Sequence, residues 1–203
     1  TFCRLFRVSR ETIASLNQYE KMLIKANKNL NLVGKSTLKD IWFRHFLDSF
    51  QVIDFIDKND NNIIDMGSGA GFPGLVLAIG AKERNLNINI KLIEKSKKKI
   101  DFLKSVIKDL DLKAETINQN IFDENIKLEA NVFVARAFKP LKIVLELIHS
   151  KCTNWKKILL FQGKQGRQEL LEASKNWNIE YKQRVSCTSN DSKILKIINL
   201  KKK

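Results

Sequence analysis

Proline and cysteine are scarce in this 203-residue chain, which holds two prolines, Pro73 and Pro140, and three cysteines, Cys3, Cys152 and Cys187. The cysteines are odd in number, far apart and without a Cys-x-x-Cys pair. That argues against a disulfide framework and a zinc site, and fits reduced thiols in a cytosolic protein. No metal is expected. No run reaches the roughly 18 apolar residues of a membrane span, and the opening Thr-Phe-Cys-Arg-Leu-Phe is too short in apolar core for a secretory signal. A cytoplasmic location with no membrane partner is therefore expected. The sequence starts at Thr1 and not at Met, so a few residues are expected to precede it. Internal repeats, low-complexity segments and any obvious Ser-His-Asp or Cys-His set are also missing.

What is abundant is positive charge: 37 Lys and Arg against 22 Asp and Glu give a formal +15. Such a field attracts polyanions, nucleic acid first among them. A Lys- and Asn-rich compositional bias would give the same charge, and charge alone does not name the nucleic acid. An apolar fraction of 43% with 29% charged residues is that of a folded chain, and the length suits one domain.

Apolar residues from Ser9 to Leu32 recur three or four apart, at Ile13, Leu16, Tyr19, Leu23, Ala26 and Leu30. This spacing predicts an amphipathic helix capped by Ser9. A second helix is predicted from Thr37 to Ile56, with Ile41, Phe46, Phe50, Ile53 and Ile56 facing inward. Residues 1–58 thus read as a helical extension. From 59 to 203, short β-rich runs alternate with helical ones, the signature of a mostly parallel sheet covered on both faces. Strands are predicted at Asn62–Met66, Ile88–Glu94, Lys113–Asn118, Val132–Ala135, Lys157–Gln162, Ile179–Arg184 and Lys193–Leu200. Helices are predicted at Gly74–Ala81, Ser96–Leu110, Leu141–His149 and Gln165–Asn176. The last two strands are separated only by a polar turn, Cys187 to Asp191, and should form an antiparallel hairpin at one edge. The expected architecture is a Rossmann-like α/β fold in one compact unit.

Residues 62–74, Asn-Ile-Ile-Asp-Met-Gly-Ser-Gly-Ala-Gly-Phe-Pro-Gly, run from a strand through a glycine-rich turn into a helix. Gly67, Gly69 and Gly71 let the backbone take positive φ and approach a ligand closely. A pyrophosphate binder reads G-x-G-x-x-G, whose third glycine would fall at Phe72. Here the spacing is G-x-G-x-G, with Asp65 two places before it. A methionine-sulfonium cofactor carries an amine, a carboxylate and a cation but no phosphate, so an acid beside the loop suits S-adenosylmethionine. The alternative is a plain tight turn. Glu94 closes the next strand, where an acid can accept both ribose hydroxyls of a nucleoside; taken alone, it also reads as an exposed Glu balancing Lys95, Lys97, Lys98 and Lys99.

At this point the sequence resembles the 16S ribosomal RNA guanine-N7 methyltransferases, the glucose-inhibited division protein B family. The likeness covers nearly the whole chain. It is carried by Asn-Leu-Val at 31–33, Arg-His-Phe-Leu-Asp-Ser at 44–49, Asp-Met-Gly-Ser-Gly-Ala-Gly-Phe-Pro-Gly at 65–74, Leu-Ile-Glu-Lys-Ser-Lys-Lys-Lys-Ile-Asp-Phe-Leu at 92–103 and Ala-Arg-Ala-Phe at 135–138. The resemblance implies a class I S-adenosylmethionine-dependent methyltransferase. Gly67 and Phe72 should contact the cofactor, and Arg136 should end the fourth strand beside the sulfonium and the target base. Ile121 and Phe122 correspond to the pair beside the adenine ring. There Asn120-Ile-Phe-Asp departs from a pattern of a small or aliphatic residue followed by an acid, which Asp123 supplies one place later. A second departure is Gln162, where the family commonly holds a lysine before the glycine; Lys164 follows Gly163 instead. The implied partner is 16S RNA or the small ribosomal subunit, with the target a guanine of its 530 loop. A monomer is expected.

N7 of guanine has a free lone pair at neutral pH, so methylation there needs positioning and no base. Two other methylation signatures are absent: the Asn- or Asp-Pro-Pro-aromatic run for exocyclic amines and a nucleophilic Cys after Pro. Arg136 can donate to guanine O6 or bind phosphate; a surface salt bridge is its bland reading. His45 and Asp48 share a helical face at i and i+3, with Arg44 beside them. They could line an RNA entrance, although a lone helical His is as often structural. Lys97, Lys164 and Arg167 lie after strand ends, the edge where open α/β sheets bind ligands, and are candidates for phosphate contact; a solvated face is the usual fate of such runs. Other readings stay open. A dinucleotide-dependent reductase lacks its third glycine and a Tyr-Lys pattern here. A methyltransferase acting on another RNA or a small molecule would keep the loop, and a non-catalytic nucleic-acid-binding protein would need only the charge.

Overall fold

The computed structural model describes residues 2–203 apart from the side chains of Cys3 and Arg4, so the reduced thiol expected at Cys3 lies outside the described residues. A short helix not foreseen from the sequence, α1 (Phe2–Phe6), precedes α2 (Arg10–Leu30). Ser9 caps α2 as expected, its Oγ accepting from Thr12 N at 3.2 Å, and Asn31 ends the helix in the left-handed region at φ 44°. Leu16, Tyr19 and Leu23 on its inner stripe are fully buried.

The uniform helix expected from Thr37 to Ile56 does not form. Instead a 3-10 segment (Lys35–Asp40), a π-helical turn (Trp42–Leu47), a single α-turn, α3 (Asp48–Phe50), and a second 3-10 segment (Gln51–Phe55) follow one another. All five inward residues are nevertheless buried. Tertiary contacts override the regular helix: Trp42 stacks edge-on against Phe2 and Phe46, Phe46 packs on Tyr19 and Phe72, and Asp48 and Gln51 bond to Ser186. A π-turn rotates later side chains relative to an α-helix and is often found where function fixes their direction.

The sheet begins with β1 (Asn62–Met66) and continues through α4 (Gly74–Glu83), β2 (Asn89–Glu94), α5 (Lys97–Asp109) and β3 (Ala114–Asn118). After a two-residue strand, β4 (Leu128–Glu129), come β5 (Val132–Ala135), α6 (Leu141–Lys151), the equally short β6 (Cys152–Thr153), β7 (Lys157–Gln162) and α7 (Gly166–Ala173). The chain ends in β8 (Trp177–Ser186) and β9 (Ser189–Lys202). Seven strands form one sheet in the order β3-β2-β1-β5-β7-β9-β8, parallel except for β9, which runs antiparallel to both neighbours; β4 and β6 form a separate parallel pair that the sequence did not reveal. The limits of β1, β5 and β7 match expectation. The final hairpin is longer than expected, and its turn tighter, because Asp48 and Gln51 hold Ser186, Cys187 and Thr188 in place. The helix expected over Gln165–Asn176 is shorter, ending at Ala173.

Side chains alternate across the sheet as a pleat requires. Ile63, Val132, Val134 and Leu159 face the N-terminal helices with α4 and α5, while Ile64, Phe133, Ile158 and Leu160 face α6 and α7. The chain moves outward from β1 through β2 to β3 and then returns to β5 on the other side of β1. This reversal opens a crevice at the carboxyl ends of β1 and β5, the place where such sheets bind ligands. Among the described residues, no helix is long and apolar enough to cross a membrane, and no cluster of His, Cys, Asp and Glu could hold a metal ion.

Candidate active site

The glycine loop leaves β1 at this crevice. Gly67, Gly69 and Gly71 have φ of +72°, +56° and +98°, the conformations expected of them. At Gly67 a Cβ would lie 2.3 Å from the Phe138 ring, and at Gly71 one would lie 2.4 Å from Leu75 and 2.6 Å from the Tyr19 hydroxyl. Only glycine fits either place. Tyr19, reaching from α2, donates its hydroxyl to the Ala70 carbonyl at 2.5 Å; burial raises its pKa well above the ordinary tyrosine value. The extension therefore fixes the loop from beneath, a role the helical periodicity gave only as core packing.

A cleft of about 600 Å³ opens over the loop. Gly67, Gly69, Phe72, Glu94, Ile121, Phe122, Arg136 and His45 all line it, so most of the residues singled out from sequence converge there. Glu94 receives the Gly69 N–H on Oε2 at 3.1 Å and the Ser96 N–H on Oε1 at 2.8 Å. A carboxylate has about four acceptor positions, so each oxygen keeps one for a ligand hydroxyl. Asp65 is placed differently: fully buried below the loop, it accepts the Gly74 N–H at 3.0 Å, and its other oxygen has no partner among the described residues. Burial pushes its pKa up to about 7. Asp65 braces the start of α4 and does not face the cleft; neither does Gly71.

Arg136 directly follows β5, and its guanidinium is held on three sides. Nε pairs with Asp48 Oδ2 at 3.1 Å, one terminal nitrogen donates to His45 Nδ1 at 2.9 Å and the other to the Arg44 carbonyl at 2.7 Å. Since arginine can only donate, Nδ1 of His45 must accept. The proton therefore sits on Nε2, which donates to Thr37 Oγ1 at 2.9 Å. Burial, then the charges of Arg136 and Arg44, lower the His45 pKa to about 4, keeping the ring neutral at pH 7. The ring stacks on Phe72 with centroids 4.9 Å apart. Asp48 Oδ1 meanwhile accepts from Gln51, Ser186 and Thr188 at 2.9–3.0 Å, so one carboxylate ties Arg136 to the β8–β9 turn.

The i, i+3 spacing of His45 and Asp48 was the sequence signal for this cluster; its target, Arg136, was not evident. Leu32, Val33 and Thr37, which also line the cleft, were likewise not foreseen as site residues. The Asn27 amide clamps Val33 through both its N–H and C=O, which holds that turn over the cleft. The cation candidates divide. Lys95, Lys99 and Lys139 line the cleft, whereas Lys97 turns to Asp101 at 3.0 Å and Arg44 contributes its carbonyl. Lys164 lines a second cleft beyond the 136–139 loop, and Arg167 is exposed on α7 outside both.

The residues present fit an adenosine group carrying a charged amino-acid tail. Glu94 suits vicinal hydroxyls, Ile93, Ile121 and Phe122 offer an apolar surface for a flat ring, and the tight loop admits close backbone approach. Comparisons with known proteins bear on the fold and the family. Solved structures of similar fold include M. capricolum TrmK in complex with S-adenosyl-homocysteine, its natural cofactor product (TM-score 0.54, 18% identity, covering 74% of this chain and 66% of that one). Another is the 16S rRNA methylase RmtB (TM-score 0.55, 14% identity, covering 95% and 76%). At such identities the likeness is one of fold. Sequence similarity goes further. The Ribosomal RNA small subunit methyltransferase G of Pelagibacter ubique is 39% identical over 198 residues, 97% of this chain and 92% of that protein. The protein of the same name from Rickettsia felis is 35% identical over 198 residues, 98% and 99%. The family described as GidB, rRNA small subunit methyltransferase G, matches residues 12–198, and the chain belongs to that family.

Proposed function

We propose that this protein transfers a methyl group from S-adenosylmethionine to N7 of a guanine in 16S ribosomal RNA, in the 530 loop, working as a cytoplasmic monomer on the RNA or the small subunit. The observation that carries this reading is the convergence of the glycine loop, Glu94 and the braced Arg136 on one cleft at the strand-order reversal. Gly67, Gly69, Phe72, Glu94, Ile121 and Phe122 would hold the cofactor. When bound, S-adenosylmethionine supplies an electrophilic methyl group, which the N7 lone pair takes up as the carbon–sulfur bond breaks and its electron pair stays on sulfur. No proton leaves N7, so the protein needs no base, in keeping with a site that holds a neutral, internally bonded His45.

Arg136 has five N–H donors, of which Asp48, His45 and the Arg44 carbonyl take three, leaving two for the acceptors O6 or phosphate. Its fixed fork fits a positional mechanism, in which misplacement by about 1 Å costs on the order of 100-fold. Residues 1–58 act as an extension that builds one wall of the site onto the 59–203 domain. The exposed cations Lys95 and Lys139 would meet the RNA backbone. The test is transfer of labelled methyl groups to undermethylated small subunits and, separately, to their purified 16S RNA. Label at one guanine N7 is expected; cofactor binding with no label in either substrate would overturn the RNA assignment.

A further inference from the structure

Beside the cofactor cleft lies a second cleft of about 590 Å³, between the ends of β5 and β7 and the starts of α6 and α7. The two share Ala137, Phe138 and Lys139, so only the loop after β5 divides them. Ala137 holds that loop at a positive φ of 48°, unusual for a residue with a Cβ. The Phe138 ring contributes to the second cleft's wall, two lysines, Lys139 and Lys164, stand exposed at its rim, and a single carboxylate, Glu169, lies within it. Glu169 occupies the first turn of α7, and its Oε2 takes the Leu141 N–H at the start of α6 at 3.3 Å. Its Oε1 accepts from no protein group among the described residues.

We infer that the second cleft is the pocket for the target nucleoside and that Glu169 selects guanine by accepting from its N1–H and N2–H groups. The inference rests on the methyl-transfer reading above and adds to it the site and the residue that choose the base. Guanine alone among the bases places two donors side by side on its pairing edge, and a carboxylate, which only accepts, complements that pair and rejects adenine. N7 lies on the opposite edge of the purine. A guanine held by its pairing edge on the α7 side therefore turns N7 toward the loop that borders the cofactor cleft. Phe138, which stacks on Phe122, offers an aromatic surface to the base, as in enzymes that take a base out of its helix and read its pairing edge in a pocket. It also favours the positive charge that the guanine ring gains as the methyl group arrives. The rim lysines suit the flanking phosphates.

The test compares small subunits whose 16S RNA carries guanine or inosine at the methylated position, since inosine keeps N7 but lacks the N2 amine. Wild-type protein should prefer guanine by about 10- to 100-fold in kcat/KM, the range for one hydrogen bond to a charged group. Glu169→Gln, which keeps an acceptor for Leu141, should lose most of that preference while binding S-adenosylmethionine as before. A second variant guards against misfolding. A Cβ at Gly163 meets nothing within 4 Å, so Gly163→Trp fills the second cleft from its exposed rim. It should abolish transfer with an unchanged melting temperature and cofactor affinity. A wild-type enzyme indifferent to the N2 amine, a Glu169→Gln variant with undiminished preference, or full activity in Gly163→Trp would each overturn the pocket and leave the methyltransferase standing. No transfer by wild-type protein to either subunit would bring down the methyl-transfer reading itself, and the pocket with it.

Discussion

The two clefts at the carboxyl edge of the sheet are nearly equal in volume, about 600 and 590 Å³, but their polar groups are held differently. In the first, Glu94 takes two backbone N–H groups, Arg136 is bonded on three sides and His45 is fixed through both ring nitrogens. In the second, Glu169 has one long backbone contact, and Lys164 has only a 3.5 Å ion pair to Asp191 with both side chains exposed. A pocket for one invariant small molecule gains from being set before the ligand arrives, because nothing then has to be ordered on binding. A pocket entered by one nucleotide of a large RNA has to stay open at its rim. The preset cleft is braced from outside the sheet, since Tyr19, Thr37, His45 and Asp48 all come from the helical extension.

The largest effect should come from removing the charge that holds Arg136. Asp48→Asn leaves a mostly buried guanidinium without its counter-ion and weakens the tie to Ser186 and Thr188. We expect a loss of about 3 kcal/mol in unfolding free energy and a fall in kcat on the order of 100-fold. Denaturant titration and single-turnover methyl transfer measure the two. A stable Asp48→Asn protein with normal turnover would show that the preset cleft does not depend on this carboxylate. Next in size is Tyr19→Phe, which leaves the Ala70 carbonyl buried without its donor. About 1–3 kcal/mol should be lost, with weaker cofactor binding by calorimetry and no change in the guanine-over-inosine preference, because the second cleft is untouched.

These two variants also mark where sequence is informative. The glycine loop, the parallel strands and Glu94 are legible because their requirements are local: positive φ at Gly67 and Gly71, and an acid at the end of β2. The broken helical run from Lys35 to Phe55 is not legible, because its shape is set by partners far along the chain, Arg136 and Ser186 among them. Asp65 shows the same limit. An acid two places before a glycine loop has the chemistry to face a cationic ligand, yet the pleat of β1 turns it to the face of Ile63, where it binds Gly74. Of the second cleft, Lys164 and the segment ending at Phe138 stand out in the sequence, but Glu169 does not, since α7 and the loop after β5 meet only through the β5–β7 pairing.

A smaller, pH-dependent effect belongs to the first cleft alone. His45 has a pKa of about 4 in the folded protein against an ordinary value near 6.5. Between those values the unfolded chain binds a proton that the folded one does not, so stability falls as the pH drops from 6.5 toward 4 and is unaffected above 6.5. One proton sets an upper bound of about 1.4 kcal/mol per pH unit, which solvent screening lowers. His45→Asn keeps an acceptor for Arg136 and cannot titrate. Its melting temperature should therefore fall less steeply than the wild type's over that interval, and parallel curves would show that His45 is not held neutral by burial and the charge of Arg136.

The smallest effect separates the rim of the clefts from the rest of a basic surface. Lys139 stands at the loop shared by both clefts, whereas Lys97 is exposed, pairs with Asp101 and lines neither. The overall +15 charge would attract RNA wherever it lay, so affinity at one salt concentration does not distinguish the two lysines. The salt dependence does, because each phosphate contact contributes roughly 0.7–0.9 to the slope of log affinity against log salt. Lys139→Ala should reduce that slope by about one contact and weaken binding a few-fold at physiological salt. Lys97→Ala should leave the slope unchanged. Equal losses from both would mean that the RNA is held by diffuse charge over this edge of the sheet, and that the open rim of the second cleft does not itself grip the backbone.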